Sequence, residues 1–372
     1  MEYSSDMCFE ILSRTSLKTL DRCKSVCKAW NYLTYESSFM SLHCKRTDTV
    51  SGYFIQDESF KNHRTTFVSI NQSDHSTSKL SLDFLPEKVN ILASSNQGIL
   101  CCVNGYGKRS KYYVCKPSTR QFELLPNPNT ELKPDIFALV VLQSNPLRFK
   151  IVRLSFPKRF CIYYCVYVSI NRSKNYYNYG CEIFDSQTWR WKELQDIRLP
   201  NGVLILTRES PVILRGAIHW RITNNSVLKF FINKEIYTIF SLPKPICDDE
   251  DDRLCQHKKL VEYRGQLGFI CEFPPNGELG LWILKNGEKK KAWEHGLVLN
   301  MDDGALKREE PLASVPALYN AHIVVMESVY SIIFYNFLSR SFDVVKLDFL
   351  IQPGQIFSFR SDLEPVTLKV VE

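Results

Sequence analysis

The chain has 372 residues, with 47 Lys+Arg against 40 Asp+Glu for a net charge of +7, and 44% of its residues are apolar. This is the composition of an ordinary globular protein, long enough for one large all-β unit or two to three average domains, and it excludes a disordered chain. The basic residues are scattered, with only Lys289-Lys290-Lys291 in a run, so no dense stripe or module for nucleic acid is present.

The amino terminus, Met1 to Asp6, lacks the basic-then-apolar run of a secretory signal. Apolar stretches such as Phe137–Leu142 fall far short of the roughly 20 residues that span a bilayer, so no membrane association is expected. Without an export signal the sequons at Asn71, Asn171 and Asn224 read as chance matches. The 13 cysteines then read as reduced small hydrophobes of a cytoplasmic or nuclear protein. No Cys-x-x-Cys occurs, and neither Cys23/Cys27 nor Cys161/Cys165 has further ligands at zinc spacing. No metal and no cofactor is expected.

Residues 6 to about 46 read as helical. Ile11 follows Met7 by four positions, and Leu20, Cys23, Cys27 and Trp30 succeed one another at helical spacing, while Val26, Ala29 and Leu33 form a second stripe beside the first. Ser5 or Asp6 is a plausible N-cap, and no Gly or Pro precedes Gly52. A unit of roughly 40 residues is marginal alone, and two apolar stripes on it cannot both face inward. The surplus is expected to lie against another protein.

From about residue 50, with the change falling near residues 45 to 52, short Val/Ile/Phe/Tyr/Leu runs alternate with polar turn clusters, as at Gly98–Cys102, Phe160–Ile170 and Ala321–Phe334. Four segments place an aromatic residue seven positions after an aromatic or Cys: Cys115 to Phe122, Phe184 to Trp191, Phe230 to Tyr237 and Tyr335 to Phe342. A looser copy runs from Trp282 to Trp293. Each reads as a hairpin. Several such units include a strand opening after Gly98, Gly216 or Gly265. The closing rings recur at intervals of about 50 residues, which predicts four-stranded propeller blades over a pair of β-sandwiches. About 320 residues at this period give six blades, with seven possible, and the first and last strands sharing one blade to remove exposed edges.

Residues 6–42 resemble the F-box motif, through Asp6–Arg14 and above all through Leu17–Trp30 with its Val26-Cys27-Lys28-x-Trp30 run; Phe39 and Leu42 match its tail. The β region resembles the F-box-associated domain of plant proteins at Asn96–Cys102, Lys116–Gln121, Gly216–Trp220 and Leu279–Leu284. The fold expected is mostly β with a small α domain: a three-helix F-box over 1–46, then a six-bladed β-propeller over 50–372. The chain departs from the family by having Tyr3-Ser4 and Thr15-Ser16 where Leu-Pro is usual, which is expected to soften the helix starts and weaken adaptor binding. The Gly-Gly pair of kelch repeats is also missing.

The resemblance implies a non-catalytic substrate receptor of a ubiquitin ligase. Its F-box would dock a Skp-family adaptor, and through it cullin and RING subunits; its propeller would hold an unknown target protein. The adaptor face is assigned to Met7, Ile11, Leu12, Leu17, Leu20, Val26, Cys27 and Trp30, against internal packing of the helices as the alternative. For target binding the acidic run Asp248–Asp252, Asp302-Asp303-Gly304 and Arg159–Tyr164 are loop candidates. Rival readings are a scaffold or adaptor-sequestering protein without ligase activity, and a propeller enzyme. The chain carries no Gly-x-Ser-x-Gly, His-Glu-x-x-His or Walker loop, Gly105-Tyr106-Gly107 is too short for a dinucleotide fingerprint, and His219 reads as a core residue.

Overall fold

Runs of β-branched and aromatic residues between turn formers fold as strands throughout the computed structural model. It describes residues 5–57, 64–69, 80–105, 109–129, 134–155, 176–207, 209–243, 256–273, 278–286, 291–300, 314–351 and 356–369. The strand expected over Phe160–Ile170, the Cys161/Cys165 pair and the sequons at Asn71 and Asn171 lie outside these residues, as do Lys289 and Lys290.

Five blades are consecutive antiparallel meanders of four strands. The first comprises β3 (Asn90–Ser94), β4 (Leu100–Asn104), β5 (Lys111–Lys116) and β6 (Gln121–Leu125). The second comprises β7 (Pro134–Ser144), β8 (Leu147–Ser155), β9 (Tyr176–Asp185) and β10 (Arg190–Pro200). The third comprises β11 (Val212–Leu214), β12 (Ala217–Ile222), β13 (Ser226–Phe231) and β14 (Ile236–Ser241). The fourth comprises β15 (Gln256–Tyr263), β16 (Gln266–Phe273), β17 (Glu278–Asn286) and β18 (Lys291–Asn300). The fifth comprises β19 (Ser314–Leu318), β20 (Ile323–Glu327), β21 (Ser331–Asn336) and β22 (Ser341–Lys346).

The sixth blade joins the two ends of the chain. Strand β23 (Ile356–Ser361) pairs with β1 (Val50–Gln56) from Val50↔Ser361 to Ile55↔Ile356, and β1 pairs with β2 (Thr65–Val68). Beyond β23 the chain is strapped to the first blade: buried Lys116 donates to the Asp362 carboxylate at 2.5 Å and to the Glu364 carbonyl at 2.6 Å. Six blades and a shared first and last blade are as the sequence predicts. Six apolar clusters form among the described residues of the propeller, each between two adjacent blades, so its core is a ring of wedges rather than one centre.

The seven-residue repeat has a direct geometric origin. Cys115↔Phe122, Phe184↔Trp191, Phe230↔Tyr237 and Tyr335↔Phe342 are cross-strand partners, each closing a four-residue loop. The last loop residue, Arg120, Trp189, Glu235 or Arg340, is left-handed with φ of 53–55°. The ring then reaches the preceding blade. Trp191 donates through Nε1 to the Pro126 carbonyl at 2.8 Å, the Arg198 amide donates to the Tyr237 hydroxyl at 3.1 Å, and Trp293 donates to the Ser241 carbonyl at 3.0 Å. In the looser copy Trp293 faces Leu284 rather than Trp282.

The amino-terminal segment forms four short helices, α1 (Ser5–Leu12), α2 (Leu17–Cys23), α3 (Lys28–Leu33) and α4 (Ser37–Thr47), where three are expected. The extra division comes from extended backbone at Cys27 (φ −155°, ψ 165°) and at Glu36 (ψ 137°). Ser16, at a position where the family carries Pro, caps α2 by accepting from the Thr19 amide at 3.3 Å. A side-chain cap thus replaces the preset φ of proline. Leu12, Leu20 and Phe39 form the small core, with Phe9, Cys23, Trp30 and Leu33 packed around it.

Candidate functional site

Strands β3, β7, β11, β15, β19 and β23 line the central channel, and the turns that follow the first five crowd one rim of the ring together with the end of β23. The helices sit on that rim. The Asn31 side chain donates to the Arg264 carbonyl at 3.3 Å, the Ala321 backbone amide donates to the Tyr35 carbonyl at 3.0 Å, and Nε2 of Gln266 donates to the Tyr32 hydroxyl at 3.0 Å. Glu36 lies between Arg264 (3.1 Å) and His322 (3.4 Å), and Lys18 approaches Glu364 at 3.7 Å. Arg360 of β23 donates to Nδ1 of His43 at 3.2 Å.

The deepest link is the Tyr35 hydroxyl, which donates to the Glu262 carboxyl. Burial pushes both groups toward their neutral forms, raising the carboxyl of Glu262 and the phenol of Tyr35. A hydroxyl-to-carboxyl bond between two such groups satisfies both without burying a full charge.

Two blades carry the same tight turn, and they differ in what covers it. Arg215-Gly216 and Arg264-Gly265 each have φ values of 49° and 70–71°, the two-residue hairpin geometry that demands left-handed backbone at both positions. A methyl on Gly265 would stand 2.7 Å from the Asn31 amide, whereas a methyl on Gly216 would meet nothing within 4 Å. The helical cap therefore covers the fourth blade's turn and leaves the third blade's open.

Under the cap the six innermost strands surround a cavity of about 1240 Å³, which the helices border with Asp21, Lys24, Ser25, Cys27, Lys28 and Asn31 among others. Among the described residues no group of three or more His, Cys, Asp or Glu is placed to hold a metal. His219 is buried, and its Nδ1 bonds the Val212 carbonyl at 3.1 Å.

The structure divides the eight residues assigned to the adaptor face. Leu12, Leu17 and Leu20 are 2%, 4% and 0% exposed; Leu17 lies in a cleft at the seam with the propeller, beside Gln97 and Leu147. Trp30 is half-buried against the helical core. Met7, Ile11 and Val26 are 50%, 55% and 64% exposed, the first two a single turn apart on α1. Cys27 is exposed, but its sulfur caps α3 by accepting from the Trp30 amide at 3.5 Å and its side borders the cavity. The seam residues Asn31, Tyr35, Glu36 and His43 escape sequence reasoning because they are polar and break no pattern.

The loop candidates Asp248–Asp252, Asp302–Gly304 and Arg159–Tyr164 lie outside the described residues. The strands flanking them, β14 and β15, β18 and β19, and β8 and β9, end at the rim opposite the helices. No helix among the described residues is long and apolar enough to cross a membrane.

Comparison with known proteins gives three relationships of use. The family described as F-box associated beta propeller domain matches residues 53–360. F-box protein At5g41720 of Arabidopsis thaliana is 32% identical over 160 residues, covering 40% of this chain and 84% of that protein. F-box protein At5g07610 of the same plant is 25% identical over 369 residues, covering 95% of this chain and 82% of that protein. Among solved structures, TolB from Acinetobacter baumannii aligns over 90% of this chain and 71% of its own at 10% identity, with a TM-score of 0.44, too low to carry functional weight.

Proposed function

The chain belongs to the family of F-box proteins with an associated β-propeller domain, and from that premise we propose that it is a substrate receptor of a Skp–cullin–F-box ubiquitin ligase. The observation that carries the reading is the division of the helical cap. One side is bonded to the propeller rim through Asn31, Tyr35, Glu36 and His43. Met7, Ile11 and Val26 meanwhile leave apolar surface open to a partner. The adaptor docks on these three. Leu12, Leu17, Leu20, Cys27 and Trp30 shape the helices beneath it.

The target is held at the opposite rim, where the blade-to-blade connections leave the ring. The receptor does no bond-making itself; it raises the effective concentration of target lysines near the charged conjugating enzyme.

The test is reconstitution with purified adaptor, cullin and RING subunits. The intact chain forms the complex and supports ubiquitin transfer to a co-purifying protein, whereas the Ile11→Asp chain remains folded and does neither. Adaptor binding with no transfer to any bound protein would instead favour a sequestering or scaffold role. Equal adaptor binding by Ile11→Asp and the intact chain would sink the assigned face.

A further inference from the structure

We infer that the central cavity beneath the helical cap binds a small multivalent anion, a polycarboxylate or a phosphorylated metabolite. The argument is one of charge balance. Lys28, Arg215, Lys259 and Arg360 all line the cavity, and among the described residues none of them has a carboxylate within ion-pair distance. The carboxylates that line the same space are already engaged. Asp21 is paired with Lys24 at 2.9 Å, Glu209 is gripped by the forked guanidinium of Arg221, and Glu262 takes the Tyr35 hydroxyl. The cavity thus presents uncompensated positive charge between apolar walls such as Val212–Leu214 of β11, where field lines are focused rather than screened.

Two of the four cations show the lack of a counter-charge directly. Arg360 is 9% exposed; it donates to the neutral His43 ring, and its Nε–H reaches no acceptor among the described residues. Lys259 is half-buried where it lines the cavity, and desolvation lowers the pKa of its ammonium against the opposing charges of Glu209 and Glu327. Burying a cation without a partner is costly, and an anion in the cavity removes that cost for both.

The open turn supplies the way in. Gly216 has free space around it where its counterpart Gly265 is covered, and its neighbour Arg215 lines the cavity, as does Lys28 of α3. Because α2 and α3 cross this end of the channel, the occupant is a compact molecule rather than a peptide threaded through the ring.

Calorimetric titration of the full chain with citrate and with tripolyphosphate, each against sodium chloride at equal ionic strength, tests this. We expect saturable one-to-one binding of at least one, weakened tenfold or more by Lys259→Met and several-fold by Arg215→Gln with Lys28→Gln. A response to citrate alone assigns a polycarboxylate, and to tripolyphosphate alone a phosphorylated ligand. The inference fails if neither anion saturates, if Lys259→Met binds as the intact chain does, or if a six-residue Asp/Glu peptide binds tighter than both. The measurement needs no adaptor, so its failure would leave the receptor reading standing, and the converse also holds.

Discussion

Arg360 donates a hydrogen bond to Nδ1 of His43 at 3.2 Å, joining the strand that closes the propeller to the last helix of the F-box. Because a guanidinium only donates, His43 must present an unprotonated Nδ1 and give its Nε2–H to the Thr15 carbonyl 3.0 Å away. Burial and the neighbouring Arg360 and Lys24 charges hold its pKa down at about 4 from the usual 6.5, with the Thr15 carbonyl and Asp21 opposing.

The pH dependence follows with a definite sign. Below pH 6.5 the unfolded chain takes up a proton that folded His43 refuses, so stability falls as pH drops from about 6.5 to about 4 and is complete above that window. The shift corresponds to roughly 3 kcal/mol at about 1.4 kcal/mol per pKa unit. Denaturant titrations of the intact chain at pH 7 and pH 4.5 should differ by more than those of His43→Asn, which keeps an acceptor but cannot titrate. Equal differences would refute the assignment.

The buried and exposed halves of the F-box should fail in different ways. Leu20, with no exposed surface, should cost about 2–5 kcal/mol of folding stability on truncation to Ala. Ile11→Asp, on a half-open surface, should change stability by under about 0.5 kcal/mol yet weaken adaptor binding by about 2 kcal/mol, roughly thirtyfold. Melting curves and adaptor titrations on the two variants separate these effects.

The rings that mark the blade repeat also latch blades together. Removing the Nε1–H by Trp191→Phe keeps most of the buried ring but leaves the Pro126 carbonyl without its donor, at a cost of about 1–3 kcal/mol. Trp293→Phe, more open to water, should cost less. Urea unfolding with an unchanged slope checks that the loss is local stability and not a looser ring.

What was legible in the sequence was whatever repeats. The pairs Cys115/Phe122 and Tyr335/Phe342 sit opposite each other because strand register turns a fixed spacing into a fixed contact. The helical spacing of Met7 and Ile11 likewise revealed a shared face. The seam was not legible, since Tyr35 meets Glu262 across 227 positions and neither side shows periodicity. Part of the surface that the sequence would hand to another protein is covered by the chain's own propeller. The thinness of a polar contact hides it: single hydrogen bonds at Asn31 or His43 leave no run of apolar residues to read. The split of Val26–Leu33 from α2 was equally hidden, because an extended residue at Cys27 costs little and carries no breaker.

The twin Arg-Gly turns allow the seam to be weighed against its own control. Both glycines hold φ near 70°, so replacing either by Ala carries the left-handed penalty of roughly 1–2 kcal/mol. At Gly216 nothing else is met, and that penalty should be the whole effect. At Gly265 the new methyl also stands 2.7 Å from the Asn31 side chain, which must move and give up its 3.3 Å bond to the Arg264 carbonyl. Gly265→Ala should therefore cost more in global stability than Gly216→Ala, and it alone should speed proteolysis within α1–α4. If the two variants are equally stable and equally resistant, the helices do not rest on the propeller rim in solution.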